Sequence, residues 1–261
     1  SCFFIFIDRD FLPNNRFDGI ASVLIIASLC FFILGFVDDI FKVSFLARLT
    51  FQIIFSIFVW HNGIAIKSFD LSFLNLSTPI ILNDYISLFL TVIWIVAITN
   101  AINWIDGLDG LAAGTVSILS IGMIYLSLLN QQYILSMLLL ALLGSCIGFL
   151  IHNYYPAKIL MGDGGSYFIG FLISLFSLKA GSIQHQIINP FIPLTITIIP
   201  LFDMTYVILN RLYRGLSPFY PDRKHLHHRL LDKGYSHKNV VLTIYLLNII
   251  VISSMIKFYS I

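Results

Sequence analysis

The chain has 261 residues, of which 58% are hydrophobic and only 11% charged, and its formal net charge is +2. Soluble domains carry about 25% charged residues, so this composition excludes an ordinary soluble fold and points to a polytopic membrane protein. The net charge is small and no basic run is present, so no nucleic-acid partner is expected; Cys2, Cys30 and Cys146 lie in or beside apolar runs without CxxC spacing and read as small core hydrophobes.

The chain opens on Ser1 and an apolar stub at residues 2–7 that reads as the tail of a further span, so a fragment is expected. Eight apolar stretches follow, at residues 20–37, 45–60, 85–102, 111–129, 134–151, 165–180, 187–209 and 240–256. Most approach the roughly 20 residues with which an α-helix crosses hydrocarbon. The expected fold is all-α, a transmembrane helix bundle of about eight spans forming one integral-membrane domain over residues 1–261.

The first span ends in GFVDDIFK, with Asp38 and Asp39 adjacent and Lys42 about a turn further on. Two carboxylates at short range do not both ionise freely unless a cation intervenes. The pair suits a proton acceptor or a Mg2+ contact, or else a solvated helix end. After the second span, residues 61–84 contain the alternating stretch KSFDLSFLNL and Pro79, which suggest a small hairpin on the opposite side of the membrane. The third span closes in NAINWIDGLDG, where Asn100, Asn103, Asp106 and Asp109 recur every three residues. On a continuous helix that spacing fans them across about half the circumference, so they converge only if the helix breaks, which Gly107 and Gly110 permit. Their oxygens are hard ligands for Mg2+ or hydrogen-bond partners for a base and ribose; a polar helix cap is the plain alternative.

The fifth span is followed by HNYYPAKIL and MGDGGSYFIGF. Gly162, Gly164 and Gly165 free the backbone to wrap an anion, Ser166 is placed to cap a helix, and Asp163 has the chemistry to hold a metal, although no GK[ST] follows as in a P-loop. The stretch 187–209 holds Pro190, Pro193, Pro200 and Asp203, the last being either a cap near the helix end or a transporter-type acid. The loop at 210–239 carries PDRKHLHHRLLDKG, with Arg223, His225, His227 and His228. Arg forks onto phosphate oxygens and His donates to phosphate or shuttles protons near neutral pH. Zinc is the rival, weakened by the lack of a cysteine or a second ligand cluster nearby.

Loops rich in Lys and Arg stay cytoplasmic. The loop at 210–239 has seven such residues, and counting spans back from it places residues 38–47, 100–110 and 152–164 on the same, cytoplasmic face. The acidic residues are all Asp, and most fall on that face. A transporter would instead place its ionisable residues at mid-membrane on broken helices, often in repeated halves. Here they sit at rims and no repeat is visible.

In this order, across residues 35–234, DDIFK, NAINWIDGLDGL, MGDGGSYFIGF and SPFYPDRKHLHHRL resemble the polyprenyl-phosphate N-acetylhexosamine-1-phosphate transferase superfamily, glycosyltransferase family 4. The form PDRxHLHHRL is similar to the branch that uses UDP-GlcNAc or a relative. The phospho-MurNAc-pentapeptide transferase branch, the alternative reading, carries a contiguous histidine triplet, which Leu226 interrupts here. The resemblance implies a bundle of ten or eleven transmembrane helices in the bacterial inner membrane with a cytoplasmic active site, so two front spans are expected to be missing. It also implies the reaction: a polyprenyl (undecaprenyl) phosphate attacks the β-phosphate of a UDP-N-acetylhexosamine, releasing UMP and forming the lipid diphosphate sugar that starts cell-envelope glycans such as lipopolysaccharide. On this resemblance Asp163 is the principal Mg2+ ligand and Asn103 the second, with Mn2+ a possible substitute. Asp38 or Asp39 takes or positions the acceptor proton and Lys42 offsets the acceptor's charge. Asn100, Asp106 and Asp109 hold the nucleoside end, and Arg223, His225, His227 and His228 bind the diphosphate. Membrane lipid surrounds the protein, and a homodimer is compatible with the resemblance.

Overall fold

The computed structural model describes residues 16–71, 78–184, 187–220 and 222–259. Helix α1 (Arg16–Phe41) is followed by α2 (Phe45–His61), whose first turn is capped by the Ser44 hydroxyl accepting the Ala47 N–H at 3.3 Å. Strands β1 (Ser68–Phe69) and β2 (Ile80–Ile81) lead to α3 (Asp84–Ile105), capped by Asn83 accepting the Ile86 N–H at 2.9 Å. Then come α4 (Leu111–Leu129), α5 (Tyr133–Asn153) and α6 (Gly162–Ala180). Strands β3 (Ser182–Gln184) and β4 (Ile187–Ile188) precede α7 (Phe191–Ile196), α8 (Ile198–Tyr213), α9 (Leu226–Asp232) and α10 (His237–Tyr259).

Among the described residues five helices are long and apolar enough to cross a membrane: α1 over Ala21–Phe41, α3, α4, α5 and α10; α2 is a shorter apolar helix. The protein is thus a polytopic helical membrane protein. Helix α6 is its axis. Almost every side chain from Ser166 to Ala180 is buried, as expected of a helix apolar on all sides. It packs most extensively against α1 and α3. Phe31 of α1 stacks on Phe171 of α6 with ring centroids 4.4 Å apart, and Trp94 of α3 donates its indole N–H to the Ser174 carbonyl at 2.9 Å. Gly35 allows α1 and α6 to meet backbone to backbone, because a Cβ there would overlap the Asp163 carbonyl. Small residues at helix contacts are how membrane helices gain close packing without a hydrophobic drive between them.

The apolar stretch expected as one span at 187–209 is not a continuous helix. After β4 the chain forms α7, breaks at Thr197 and resumes as α8. Pro200 has no N–H to give the carbonyl four residues back, and the ring crowds that turn. The Thr197 hydroxyl instead donates to the Pro193 carbonyl at 2.7 Å. The expected hairpin is present, with β1 and β2 antiparallel; residues 72–77 lie outside the described residues. A parallel pairing of β1 with β4 and an antiparallel β3–β4 pair extend it to a sheet ordered β2-β1-β4-β3. The up-and-down connectivity places this sheet at one end of the bundle. The termini of α1 to α6 that carry the Asp and Asn motifs gather at the other.

Candidate active site

Helix α3 ends at Ile105, and its continuation Asp106–Gly110 is a turn rather than a helix. Gly110 adopts φ +80°, the left-handed region that a side chain disfavours, which lets α4 start at once in a new direction. The turn is pinned from two helices: the Gly110 N–H donates to Asn153 Oδ1 at 3.0 Å, and its carbonyl accepts the Tyr245 hydroxyl at 2.6 Å. Asp109 Oδ2 accepts the Ala157 N–H at 2.9 Å. The break brings Asn103, Asp106 and Asp109 onto one cavity of about 300 Å3, whose walls also include Asp39, Asn153 and Asp163. Asn100 does not reach it. Its amide donates to Gln52 Oε1 at 2.6 Å and to the Val96 carbonyl at 2.7 Å, a rung between α2 and α3.

The adjacent carboxylates of α1 diverge. Asp39 accepts the N–H groups of Asp163 and Gly164 at 2.9 and 3.1 Å, so it caps the start of α6 from another helix and satisfies two donors with a charge suited to the helix dipole. This corrects the expectation that Ser166 caps α6. The helix begins at Gly162, so Ser166 lies within it and its hydroxyl donates weakly to the Asp163 carbonyl at 3.3 Å. Of the backbone expected to wrap an external anion, the Gly164 N–H and the neighbouring Asp163 N–H are already given to Asp39. Asp38, only 5% exposed, forms an ion pair with Arg48 of α2. Arg48 also lies 3.4 Å from the Tyr167 hydroxyl and 4.0 Å from Asp163 Oδ2. Lys42 stands apart: it is exposed, takes φ +49° just past α1, and forms no ion pair among the described residues.

Asn103 binds Asp163 directly, its amide donating to Asp163 Oδ1 at 2.6 Å and to the Ser166 hydroxyl at 2.8 Å. That leaves the Asn103 carbonyl oxygen beside the cavity, while Asp163 Oδ2 faces Arg48 at 4.0 Å. Burial, followed by the charges of Asp163 and Asp39, pushes the Asp106 carboxyl up to about 7. Negative charge is thus crowded here, which is the environment a divalent cation relieves. Among the described residues no group of three or more His, Cys, Asp or Glu side chains is arranged to hold a metal by itself. A cation at this cavity would therefore draw on Asn103 and on water or substrate oxygens, a donor set that suits Mg2+.

The histidine loop closes over the same turn. His227 lies directly against Gly107, where any Cβ would overlap its ring. Burial, then His228 and His225, lower the His227 imidazole to about 3, so it is neutral at physiological pH; its Nδ1 makes no hydrogen bond among the described residues. His228, whose ring centroid is 4.2 Å from that of His227, is lowered by burial and by the charge of exposed Arg223. His225 is held by Asp203 of α8, which therefore caps α9 rather than serving as a mid-membrane acid.

Arg48, Tyr167 and Asn153 are site residues that sequence patterns did not single out. An Arg three residues into the apolar run FLARLTF was the available signal, since an ionisable residue inside such a run is costly unless it serves a purpose.

Residues 21–181 match the family model described as Glycosyl transferase family 4. The chain is 36% identical over 230 residues to a probable undecaprenyl-phosphate N-acetylglucosaminyl 1-phosphate transferase of Bacillus subtilis (strain 168), covering 88% of this chain and 63% of that protein. It is 35% identical over 232 residues to a decaprenyl-phosphate N-acetylglucosaminephosphotransferase of Mycobacterium leprae, covering 82% and 58%. It is 32% identical over 217 residues to an undecaprenyl-phosphate alpha-N-acetylglucosaminyl 1-phosphate transferase of Escherichia coli (strain K12), covering 81% and 58%. The chain thus spans about three-fifths of the length of these relatives. The family match runs from α1 through α6 and takes in Asp38, Asp39, the DGLDG turn and Asp163: the chain belongs to glycosyl transferase family 4.

Proposed function

We propose that this chain carries the active site of an enzyme that transfers N-acetylglucosamine 1-phosphate from UDP-GlcNAc to a polyprenyl phosphate, releasing UMP, with Mg2+ as cofactor and Mn2+ able to replace it. The observation that carries this reading is the cavity in which Asp163, Asn103, Asp39 and Asp106 meet at one end of a membrane bundle, with Arg48 against Asp163. The printed names of the relatives agree with it.

In this reading an oxygen of the lipid phosphate attacks the β-phosphorus of the donor, the bond from that phosphorus to the bridging oxygen breaks, and UMP leaves. Asp163 and Asn103 would hold Mg2+, which supplies charge neutralisation on the diphosphate. Arg48, oriented by Asp38, offers its remaining N–H groups to the acceptor phosphate. Both oxygens of Asp39 are engaged by α6, so Asp39 organises the site, and Asp38 remains the better placed to receive a proton. Asp106, Asp109 and Asn153 wall the nucleoside end. His225, His227, His228 and Arg223 take the diphosphate, and Lys42 is a cation at the rim rather than in the site. The test is incubation of membranes carrying the full-length protein with polyprenyl phosphate, Mg2+ and a panel of UDP-sugars. UMP release with UDP-GlcNAc supports the reading, and its absence with every donor refutes it.

The contact of His227 with Gly107 makes a sharper expectation. Gly107→Ala puts a Cβ against the His227 ring and forces the imidazole aside, so it should weaken donor affinity about tenfold, a loss of roughly 1.4 kcal/mol. Thermal stability should change little. An unchanged KM for the donor would remove His227 from the donor site.

The Lys and Arg content of the loop at 210–239 supports a cytoplasmic position for the site, and the bacterial relatives support a bacterial inner membrane. Ser44→Cys and Ser217→Cys should both resist an impermeant thiol reagent added outside intact cells. Labelling of either would reverse the orientation.

A further inference from the structure

Two buried charges lie about two turns apart on α8: Asp203 and Arg211, 3% and 4% exposed. Such groups are costly unless their hydrogen bonds are filled, and here both are filled by the histidine loop. Arg211 donates Nε and Nη2 to Asp222 at 3.2 and 3.1 Å, and Nη1 to the Pro218 carbonyl at 2.6 Å. Burial favours a protonated Asp222, but Arg211 outweighs it and holds the carboxyl below its ordinary range. Asp203 accepts the Leu226 N–H on Oδ1 at 2.6 Å and meets His225 Nδ1 with Oδ2 at 2.9 Å. Its nearest other cation is Arg229, 3.9 Å away.

The His225 ring is fixed on three sides. Nδ1 faces Asp203, the ring lies parallel to His227 within 6° at 5.6 Å, and its edge meets Trp104 at 5.4 Å. Trp104 follows Asn103 in sequence and also carries the Arg211 guanidinium 5.0 Å above its ring. Among the described residues nothing hydrogen-bonds Nε2. A carboxylate accepts and does not donate, so Nδ1 carries the proton; which nitrogen of a histidine is free is set by the bond the other makes.

We propose that Asp203 is a positioning residue that acts through His225, fixing the ring and its Nδ1 proton so that a proton added to the ring sits on Nε2 and makes that nitrogen the donor to the anionic substrate. This rests on the transferase reading for the identity of that substrate, a nucleoside diphosphate sugar, and not for the hydrogen bond itself. A helix cap alone would need only Oδ1 and the Leu226 N–H. The two roles separate in Asp203→Asn. The amide oxygen can keep the Leu226 bond, while the amide NH2 then faces His225 Nδ1, which must give up its proton and become the acceptor.

The test uses the full-length protein with nitrogen-15 in its histidines, in mildly alkaline buffer, the His225 signal being identified by its loss in His225→Gln. His225 should carry its proton on Nδ1 in the native protein and on Nε2 in Asp203→Asn. In the transferase assay Asp203→Asn should lower kcat/KM for the nucleotide sugar about 10- to 100-fold, as loss of an orienting carboxylate does elsewhere. The double variant with His225→Gln should be no worse than His225→Gln alone, because the two act as one unit. A native His225 protonated on Nε2, an Asp203→Asn signal equal to the native one, or losses that multiply in the double variant would each overturn the proposal. The magnetic resonance result does not depend on turnover, so it stands apart from any failure of the transferase reading.

Discussion

Asp163→Asn in the full-length enzyme is expected to lower turnover by about 10²- to 10³-fold, the cost of removing one group that stabilises charge developing in a transition state. Asp163 sits in the first turn of α6 with Oδ1 bound to the Asn103 amide at 2.6 Å and Oδ2 turned toward Arg48 at 4.0 Å. Asn is the same size, so the packing survives, but the charge is gone, and an amide NH2 facing the Asn103 amide would force one of the two to flip. Folding should be spared, because Asp39 grips the backbone N–H groups of residues 163 and 164 and not the side chain. Initial rates across a Mg2+ titration are the check. A steep fall in kcat with a raised Mg2+ requirement is expected; near-normal turnover with an unchanged requirement would place the cation elsewhere.

Arg48 variants should show the second large effect, on the acceptor side. A hydrogen bond to a charged group is worth about 1.5–3 kcal/mol, so losing the guanidinium fork should raise KM for polyprenyl phosphate about 10- to 100-fold. Arg48→Lys keeps the charge but cannot serve Asp38 and a phosphate together, and should recover only part of the affinity. Arg48→Ala also leaves Asp38 buried without its partner. Breaking such a pair costs up to about 3 kcal/mol, discounted here because Arg48 is 26% exposed. Its melting temperature should therefore fall, whereas that of Arg48→Lys should not. Lys42→Ala is the informative companion: exposed Lys42 should matter little, and a lipid affinity that depends on Lys42 while ignoring Arg48 would exchange their roles.

The helices were legible because hydropathy is a local property: an apolar run of the right length has few other folds in a membrane. The break at Asp106–Gly110 was legible for a related reason, since two glycines at the end of a span leave little else for the chain to do. Pairings between helices were not. Asn100 and Asn103 look equivalent in sequence, yet the helical rotation between them sends one to Gln52 and the other to Asp163. Asp38 and Asp39 are neighbours, yet their side chains leave α1 in different directions, one toward Arg48 and one toward the start of α6. Ser166 looked like a cap because local pattern cannot reveal that a carboxylate more than a hundred residues earlier already fills that place. Asp203 could be read as cap or carrier until its partner His225 was visible, and the interrupted helix before it follows from Pro200 once that proline lies inside a helix.

Transfer of a sugar 1-phosphate, rather than of a sugar alone, is tested most directly by the fate of the β-phosphorus. Full-length protein in membranes with polyprenyl phosphate and Mg2+ would receive UDP-GlcNAc carrying radioactive phosphorus at the β position. If the lipid phosphate attacks that phosphorus, the label passes with the sugar into the lipid fraction and the nucleotide released is unlabelled UMP. Label recovered in soluble UDP, with the sugar alone on the lipid, would contradict the assignment of this acidic cavity to phosphoryl transfer.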